Sequence, residues 1–399
     1  MNIPINLVAE QPKQLTGREE CALLQRAMAQ RETPAIRLKL AQLHYRLDEF
    51  DNAIALLNRA HPPVDYVTAN TLAAALLGRG KAEDFEPALT AARAAEALAD
   101  CDLRRAAALV DQARVRIKTG KSAQAASVLS AALELDPANG DALRLLSGQL
   151  LARNEPEQVQ ALCDDCEVKG AAHVQLLGIQ SQALAQRGEI QAARELAGLD
   201  HFLFQSAPLA PDGWTDLPSF HAALTQELLA SAGMRNGRHG TASIASLRVD
   251  EPATATTPAM RALQQLIIDY ARNVVDMLPG QGHPWLRRRP DAAHLRMWSV
   301  ITGSEGYERW HMHPMGWASG GYYVEVPETV RRGDSPAGCL EFGMPDHPIG
   351  REVAEAFGSR LVRPHAGLLN LFPSHAYHRT HPHGAHGVRI CIAFDLIPD

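Results

Sequence analysis

No run of apolar residues in this 399-residue chain approaches the ~18–20 that a membrane-spanning helix requires. The stretch from Met1 to Glu10 lacks the basic and apolar regions of a secretory leader, so none is expected. Cysteine is scarce. Cys21, Cys101, Cys163, Cys166, Cys339 and Cys391 are too few and too scattered for a disulfide framework. Neither sign of charge dominates: 39 Lys and Arg face 45 Asp and Glu, a net charge of −6. That balance argues against a dedicated nucleic-acid binder. These absences lead us to expect a cytoplasmic protein with reduced thiols and with neither nucleic acid nor membrane as partner. What is present is ordinary for a folded chain. Hydrophobic residues make up 46% and charged residues 21%, which excludes wholesale disorder. At ~100–200 residues per domain the length predicts two or three domains.

Aromatic residues are also few, and tryptophan is missing from the first half. Trp214, Trp285, Trp298, Trp310 and Trp317 all follow residue 200, and eleven of the 17 histidines lie from His283 onward. The first half is rich in Ala and Leu, which lose little on entering a helix. The second half alternates short apolar runs with Gly, Pro and His, a pattern of strands and loops. Two domains of different class follow.

The helical half repeats. Gly120, Asn154 and Gly188 are spaced by 34 residues, and Ala193 follows Gly188 as Ala125 follows Gly120. Asp48, with Ala53 and Ala60, fits the same frame. Gly80, with Ala88 and Ala95, fits it with a longer turn. Each frame reads as a helix, a tight turn that tolerates left-handed backbone, and a second helix. Small Ala faces let the helices approach closely, and Pro137 ends one of them. This pattern resembles tetratricopeptide repeats. The resemblance implies an all-α solenoid, assigned to residues 18–200, with a concave face for a peptide or protein partner. Cys163 and Cys166 sit one turn apart on a helix of this region. They lack the second ligand pair of a zinc ribbon, and buried thiols are the expectation.

Residues 201–218 hold three prolines and a glycine and read as a linker. Helices are predicted at Phe220–Ala232 and Thr256–Leu278, and Arg238–Asp250 as a loop ending in a short strand.

The chemistry is concentrated after residue 300. In Trp310-His311-Met312-His313-Pro314, read as a strand end, alternation points His311 and His313 to one face. A third imidazole at His378 follows an apolar strand that ends at Pro373 and a short turn. In Gly387 to Phe394, alternation puts Arg389, Cys391 and Ala393 on one face, with Ile390, Ile392 and Phe394 on the other. An Arg flanked by small residues on such a strand needs an anionic partner, for which a carboxylate held bidentately is suited. His375 is the rival to His378. His375, His381, His383 and His386 are otherwise expected to be solvated loop residues, and Glu341 to sit at the rim of the site or behind its ligands.

Four motifs occur in order: His311-Met-His313-Pro314, Ser319-Gly320-Gly-Tyr322-Tyr323, Phe372-Pro373-Ser374-His-Ala-Tyr-His378 and Arg389-Ile-Cys-Ile-Ala-Phe394. Together they resemble a bacterial group of 2-oxoglutarate/Fe(II)-dependent oxygenases often fused to tetratricopeptide repeats. The resemblance covers roughly residues 214–399. It implies a double-stranded β-helix (jelly-roll, cupin-like) with supporting helices, over 219–399. It further implies Fe(II) held by His311 and His378. His313 stands where the wider superfamily has a carboxylate, and either completes a three-histidine site or contacts substrate or 2-oxoglutarate. Arg389 would hold the far carboxylate of 2-oxoglutarate. With alternation from Ser319, Tyr323 shares the face of Ser319 and Gly321, and either donates to a 2-oxoglutarate carboxylate or is a core tyrosine on its strand. The implied reaction is hydroxylation of a peptide or protein recruited by the repeats. Two other readings stand beside it: a three-His, cupin-like dioxygenase that takes no oxoacid, and a non-catalytic repeat adaptor.

Overall fold

The computed structural model describes residues 5–10, 15–60, 62–237, 240–250, 257–280 and 282–399. It divides into two compact units. Leu15–Ala171 forms the body of one, and Met1–Gln14, Ala172–Gly237 and Thr241–Asp399 form the other.

The first unit is helical. It comprises α1 (Gly17–Gln30), α2 (Pro34–Arg46), α3 (Phe50–Leu57), α4 (Tyr66–Arg79), α5 (Phe85–Ala97), α6 (Asp102–Lys118), α7 (Ser122–Leu135), α8 (Gly140–Ala152) and α9 (Pro156–Val168). Four of its helices start where a side chain accepts an orphan N–H of the first turn: Thr16, Thr33, Asp65 and Asn139 each cap one. The turn frame read from the repeat is seen in the backbone. Asp48, Gly80, Gly120 and Asn154 all have φ between 59° and 74°, the left-handed region. Ala53, Ala88, Ala125 and Ala132 are fully buried where the paired helices meet. Cys163 and Cys166 are buried on α9, and burial pushes the Cys166 thiol up to about 11. That suits a packing role rather than a reactive one.

The second unit opens with α10 (Gln175–Gln186), α11 (Ile190–Ala197) and α12 (Leu199–Phe202). The α10–α11 pair repeats the frame, with Gly188 at φ 83° and Ala193 buried. It packs within the unit that carries the sheets: Arg194 donates to the Phe357 carbonyl at 2.6 Å.

That unit has two sheets. The large one is built from β1 (Asn6–Ala9), β2 (Phe204–Ser206), β3 (Met234–Asn236), β4 (Ser243–Asp250), β5 (Ala292–Glu308), β6 (Ala318–Glu325), β9 (Leu369–Pro373) and β11 (Arg389–Pro398). Its order is β2-β9-β6-β11-β5-β4-β3, antiparallel throughout, with β1 parallel on β5. The small sheet is β10-β7-β8, from β7 (Leu340–Phe342), β8 (Arg360–Val362) and β10 (His378–Thr380). Two long helices cover the large sheet, α13 (Leu217–Leu229) and α14 (Pro258–Met277). Phe220, Leu224, Leu263 and Ile267 from these helices meet Met297, Tyr322, Leu371, Ile392 and Phe394 in one core. On the opposite face Tyr323 and Phe372 pack against Leu340, Phe342 and Val362 of the small sheet. Strand alternation therefore decides which side chains enter the space between the sheets. Among the described residues no helix is long and apolar enough to cross a membrane.

Several local expectations shift. The helix predicted at Phe220–Ala232 begins at Leu217, because Asp216 caps it and Pro218 suits its first turn. The one predicted from Thr256 runs from Pro258 to Met277, and Thr256 itself lies outside the described residues. The Arg238–Asp250 segment, whose first two residues are also outside them, does end in a strand, which runs for eight residues from Ser243 and is longer than expected. Cross-strand pairing with β5 supplies its hydrogen bonds. Trp310–Pro314 is not a strand end. β5 stops at Glu308, and His311 makes only an isolated bridge to His378.

Gly320 marks a close approach. A Cβ there would lie 2.1 Å from the Asn370 carbonyl oxygen and 2.2 Å from Phe394 Cζ. Gly320→Ala is therefore expected to cost about 3 kcal/mol or more, the upper range of overpacking. A thermal melt should drop by about 6–12 °C. A melt within 2 °C of the parent would contradict this packing.

Candidate metal centre

Three histidines meet at one end of the space between the sheets. The ligand atoms of His311, His313 and His378 all lie within 4.8 Å of one another. Backbone bonds hold them there. His311 N–H donates to the His378 carbonyl and His378 N–H to that of His311, both at 2.9 Å. His313 N–H donates to the Ser374 carbonyl, also at 2.9 Å.

Hydrogen bonds also select the tautomers. Nδ1 of His311 lies 2.7 Å from the Arg309 carbonyl, and Nδ1 of His378 2.9 Å from that of Ala376. Nδ1 of His313 lies 2.5 Å from Asp395 Oδ1. Carbonyl and carboxylate oxygens only accept, so each Nδ1 carries a proton and Nε2 is the atom left to bind a metal. Burial, aided by the nearby His313, pushes His311 down to about 3. Burial and the two neighbouring imidazoles hold His378 well below its ordinary value. Neutral imidazoles with protonated Nδ1 are the form that binds a transition metal. Phe342 and Phe372 pack around His378, and Trp298 lies beside His313.

Along β11 Arg389, Cys391, Ala393 and Asp395 share the face toward this space, while Ile390, Ile392, Phe394 and Leu396 enter the helix-covered core. Arg389 is buried. It donates through Nη1 to the Gly338 carbonyl at 2.9 Å and through Nη2 to Thr380 Oγ1 at 3.1 Å. Tyr323, on β6, faces the same way beside Cys391, its cross-strand partner. Burial raises its hydroxyl above the usual range and pushes the Cys391 thiol up to about 12. Gly321, opposite Ala393, keeps the floor between Tyr323 and Ser319 low.

His375 does not join the cluster. It is buried on the other side of the Ser374–Tyr377 turn, where Nε2 donates to the Leu196 carbonyl at 2.9 Å. His383 is likewise buried rather than solvated, its Nε2 bonded to the Thr302 carbonyl. His381 pairs with Glu341 at 2.6 Å, and His386 is exposed. Glu341 is bound to Arg379 and His381, and Arg379 lies over the Trp310 ring. It is a rim residue.

Sequence reasoning passed over Asp395, Thr380 and Glu308. Asp395 lies one step of alternation beyond Ala393, so the pattern that selected Arg389 extends to it. Glu308 has no such signal. Burial raises its carboxyl, whose field includes Arg248, Arg389 and His313.

Buried His375 carries a pH prediction. Burial pushes it down to about 4, against about 6.5 in the unfolded chain. Between those values the unfolded state binds the extra proton, so stability falls as pH drops below about 6.5. His375 alone should account for about 2 kcal/mol of loss between pH 7 and 5. Urea melts of metal-free protein measure it. His375→Gln should flatten the slope by that amount, and an unchanged slope would remove His375 as its source.

Residues 296–395 match the family described as "Putative 2OG-Fe(II) oxygenase". The chain carries a 2OG-Fe(II) oxygenase domain. Fe(II) and 2-oxoglutarate are the cofactor and co-substrate of this family. No curated protein matches the chain. Similar solved structures include a Pseudomonas putida prolyl-4-hydroxylase, 14% identical over 50% of this chain and 95% of that one, with a TM-score of 0.34. HygX from Streptomyces hygroscopicus, solved with nickel, 2-oxoglutarate and hygromycin B, is 15% identical over 51% and 86%, with a TM-score of 0.33. A thermophilic TPR protein of Thermus thermophilus is 19% identical over 42% and 90%, with a TM-score of 0.34. The oxygenase domain's own donor set fits an iron ion. Three imidazoles, His378 and His313 buried and His311 half-buried, each have Nδ1 engaged and leave Nε2 as the atom that could bind a metal.

Proposed function

We propose that the protein is an Fe(II)- and 2-oxoglutarate-dependent hydroxylase acting on a peptide or protein. In this reading residues 219–399 form a double-stranded β-helix and residues 18–200 a tetratricopeptide-like solenoid that recruits the substrate, joined through 201–218. His311, His313 and His378 hold iron, Arg389 holds the far carboxylate of 2-oxoglutarate, and Tyr323 donates to a carboxylate of the same molecule. The observation that carries the reading is the shared arrangement of the three imidazoles, each donating from Nδ1 to an oxygen acceptor, with their ligand atoms within 4.8 Å of one another.

Iron with 2-oxoglutarate supplies oxidising power from dioxygen. The chain supplies placement. The backbone bridge between His311 and His378 fixes two ligands at once, and Arg389, anchored by Gly338 and Thr380, presents a charged donor from the same sheet face. Phe342 and Phe372 pack against the His378 ring and Trp298 against that of His313, which restricts how these two imidazoles can turn. The three-histidine donor set also suits a cupin-like dioxygenase that takes no oxoacid, but that reading leaves the buried Arg389 without a function.

The test needs no substrate. Protein loaded anaerobically with Fe(II) is titrated with 2-oxoglutarate and followed in the visible. A saturable absorption band is expected. Bound iron without a band would favour the oxoacid-independent dioxygenase. No bound iron would leave a repeat adaptor.

A further inference from the structure

The wider superfamily places a carboxylate where this chain has His313, so three neutral imidazoles alone would leave the metal with one negative charge fewer. A buried carboxylate stands directly behind that position. Asp395 Oδ1 accepts from His313 Nδ1 at 2.5 Å and from the Ser319 hydroxyl at 2.6 Å. Ser319 Oγ in turn lies 2.6 Å from Ser374 Oγ. With the Ser319 proton directed to Asp395, Ser374 donates to Ser319. All four side chains are buried, Ser319 and Ser374 completely. Gly316 closes the loop over them, where a Cβ would lie 2.7 Å from Ser374 Oγ and 3.2 Å from Asp395 Cβ. Three of these residues belong to the motifs that carry the family resemblance, yet that resemblance gives the two serines no role.

We propose that Asp395 is the carboxylate of this centre moved one residue outward. It delivers its charge to the metal through the His313 imidazole, and Ser319 and Ser374 hold it in place. Asp395 is thus a positioning residue. A carboxylate on Nδ1 raises the donor strength of Nε2 and fixes the ring's orientation. Burial strengthens the interaction. This inference rests on the three-histidine reading above.

The test is a Co(II) titration of the metal-free, full-length protein, followed by visible absorption. Asp395→Asn keeps size and an acceptor oxygen but removes the charge. It should weaken Co(II) about 10- to 100-fold, the usual range for such partners. Restoring a carboxylate next to the metal should make Asp395 dispensable, so His313→Asp combined with Asp395→Asn should return within about threefold of the parent. A structural role for Asp395 would not produce that rescue. Parent-like affinity in Asp395→Asn, with binding lost in His378→Ala, would overturn this inference and leave the triad standing. Parent-like affinity in His378→Ala would overturn the triad itself. A double variant as weak as Asp395→Asn would show that charge is not what Asp395 supplies. Should Asp395→Asn fail to fold, Ser319→Ala takes its place, with a loss of about 3- to 10-fold expected. Unchanged affinity there would overturn the proposed positioning.

Discussion

His378→Ala is expected to abolish Fe(II) binding at stoichiometric metal while leaving the fold intact. The fold should survive because the bonds that tie this segment are made by backbone. His311 and His378 exchange N–H···O bonds whichever side chain stands at 378. Truncation leaves a small void between Phe342 and Phe372, which lowers stability by about 2–4 kcal/mol without touching either sheet's register. His375 is the only nearby candidate ligand on the same turn, and it is buried toward Leu196 with Nε2 committed to a carbonyl. Swinging it into the centre would break that bond and reorganise the Ser374–Tyr377 turn that also holds His313. Anaerobic equilibrium dialysis against Fe(II) makes the measurement. Retention of parent affinity would mean that the centre is assembled otherwise.

Much of this arrangement can be read from the residues, because it follows local rules. The repeat frame needs left-handed backbone at Asp48, Gly80, Gly120, Asn154 and Gly188, and each of the five adopts it. Small turn residues announce that geometry in any context. The alternation of Arg389, Cys391 and Ala393 against Ile390, Ile392 and Phe394 is likewise a property of one strand, and the core divides along it. What escaped depends on partners remote in sequence. His383 and His375 look like solvated loop residues until the carbonyls of Thr302 and Leu196 are brought to them. β2 arises from a proline-rich stretch because β9 offers an edge for Phe204–Ser206 to pair with. His311 and His313 converge without a regular strand, since the bridge to His378 and the Ser374 carbonyl place them instead. Asp395 was within reach of the same alternation and needed only one more residue. Its meaning needed the approach of His313 from 82 residues away.

Arg389→Ala is expected to spare the metal and to weaken 2-oxoglutarate by roughly 2–4 kcal/mol, a factor of about 30 to 1,000. The two effects separate because Arg389 and the histidines are held independently. Its guanidinium is anchored to Gly338 and Thr380, neither of which touches the imidazoles, and its strand is fixed by pairing with β5 and β6. Removing the side chain leaves the Gly338 carbonyl unpaired in a buried place, so some loss of stability accompanies the variant. Arg389→Lys controls for it: charge returns but the planar fork does not, and affinity should fall between parent and Ala. A carboxylate ligand is sensitive to that geometry, whereas a purely structural cation is not. Isothermal titration of 2-oxoglutarate into Fe(II)-loaded, oxygen-free protein reads all three. Equal affinities across the series would remove Arg389 from the co-substrate's site and transfer the weight of the argument to the oxoacid-independent dioxygenase. A graded loss, with iron binding unchanged throughout, ties the buried guanidinium to the acid and the three imidazoles to the metal as separate parts of one centre.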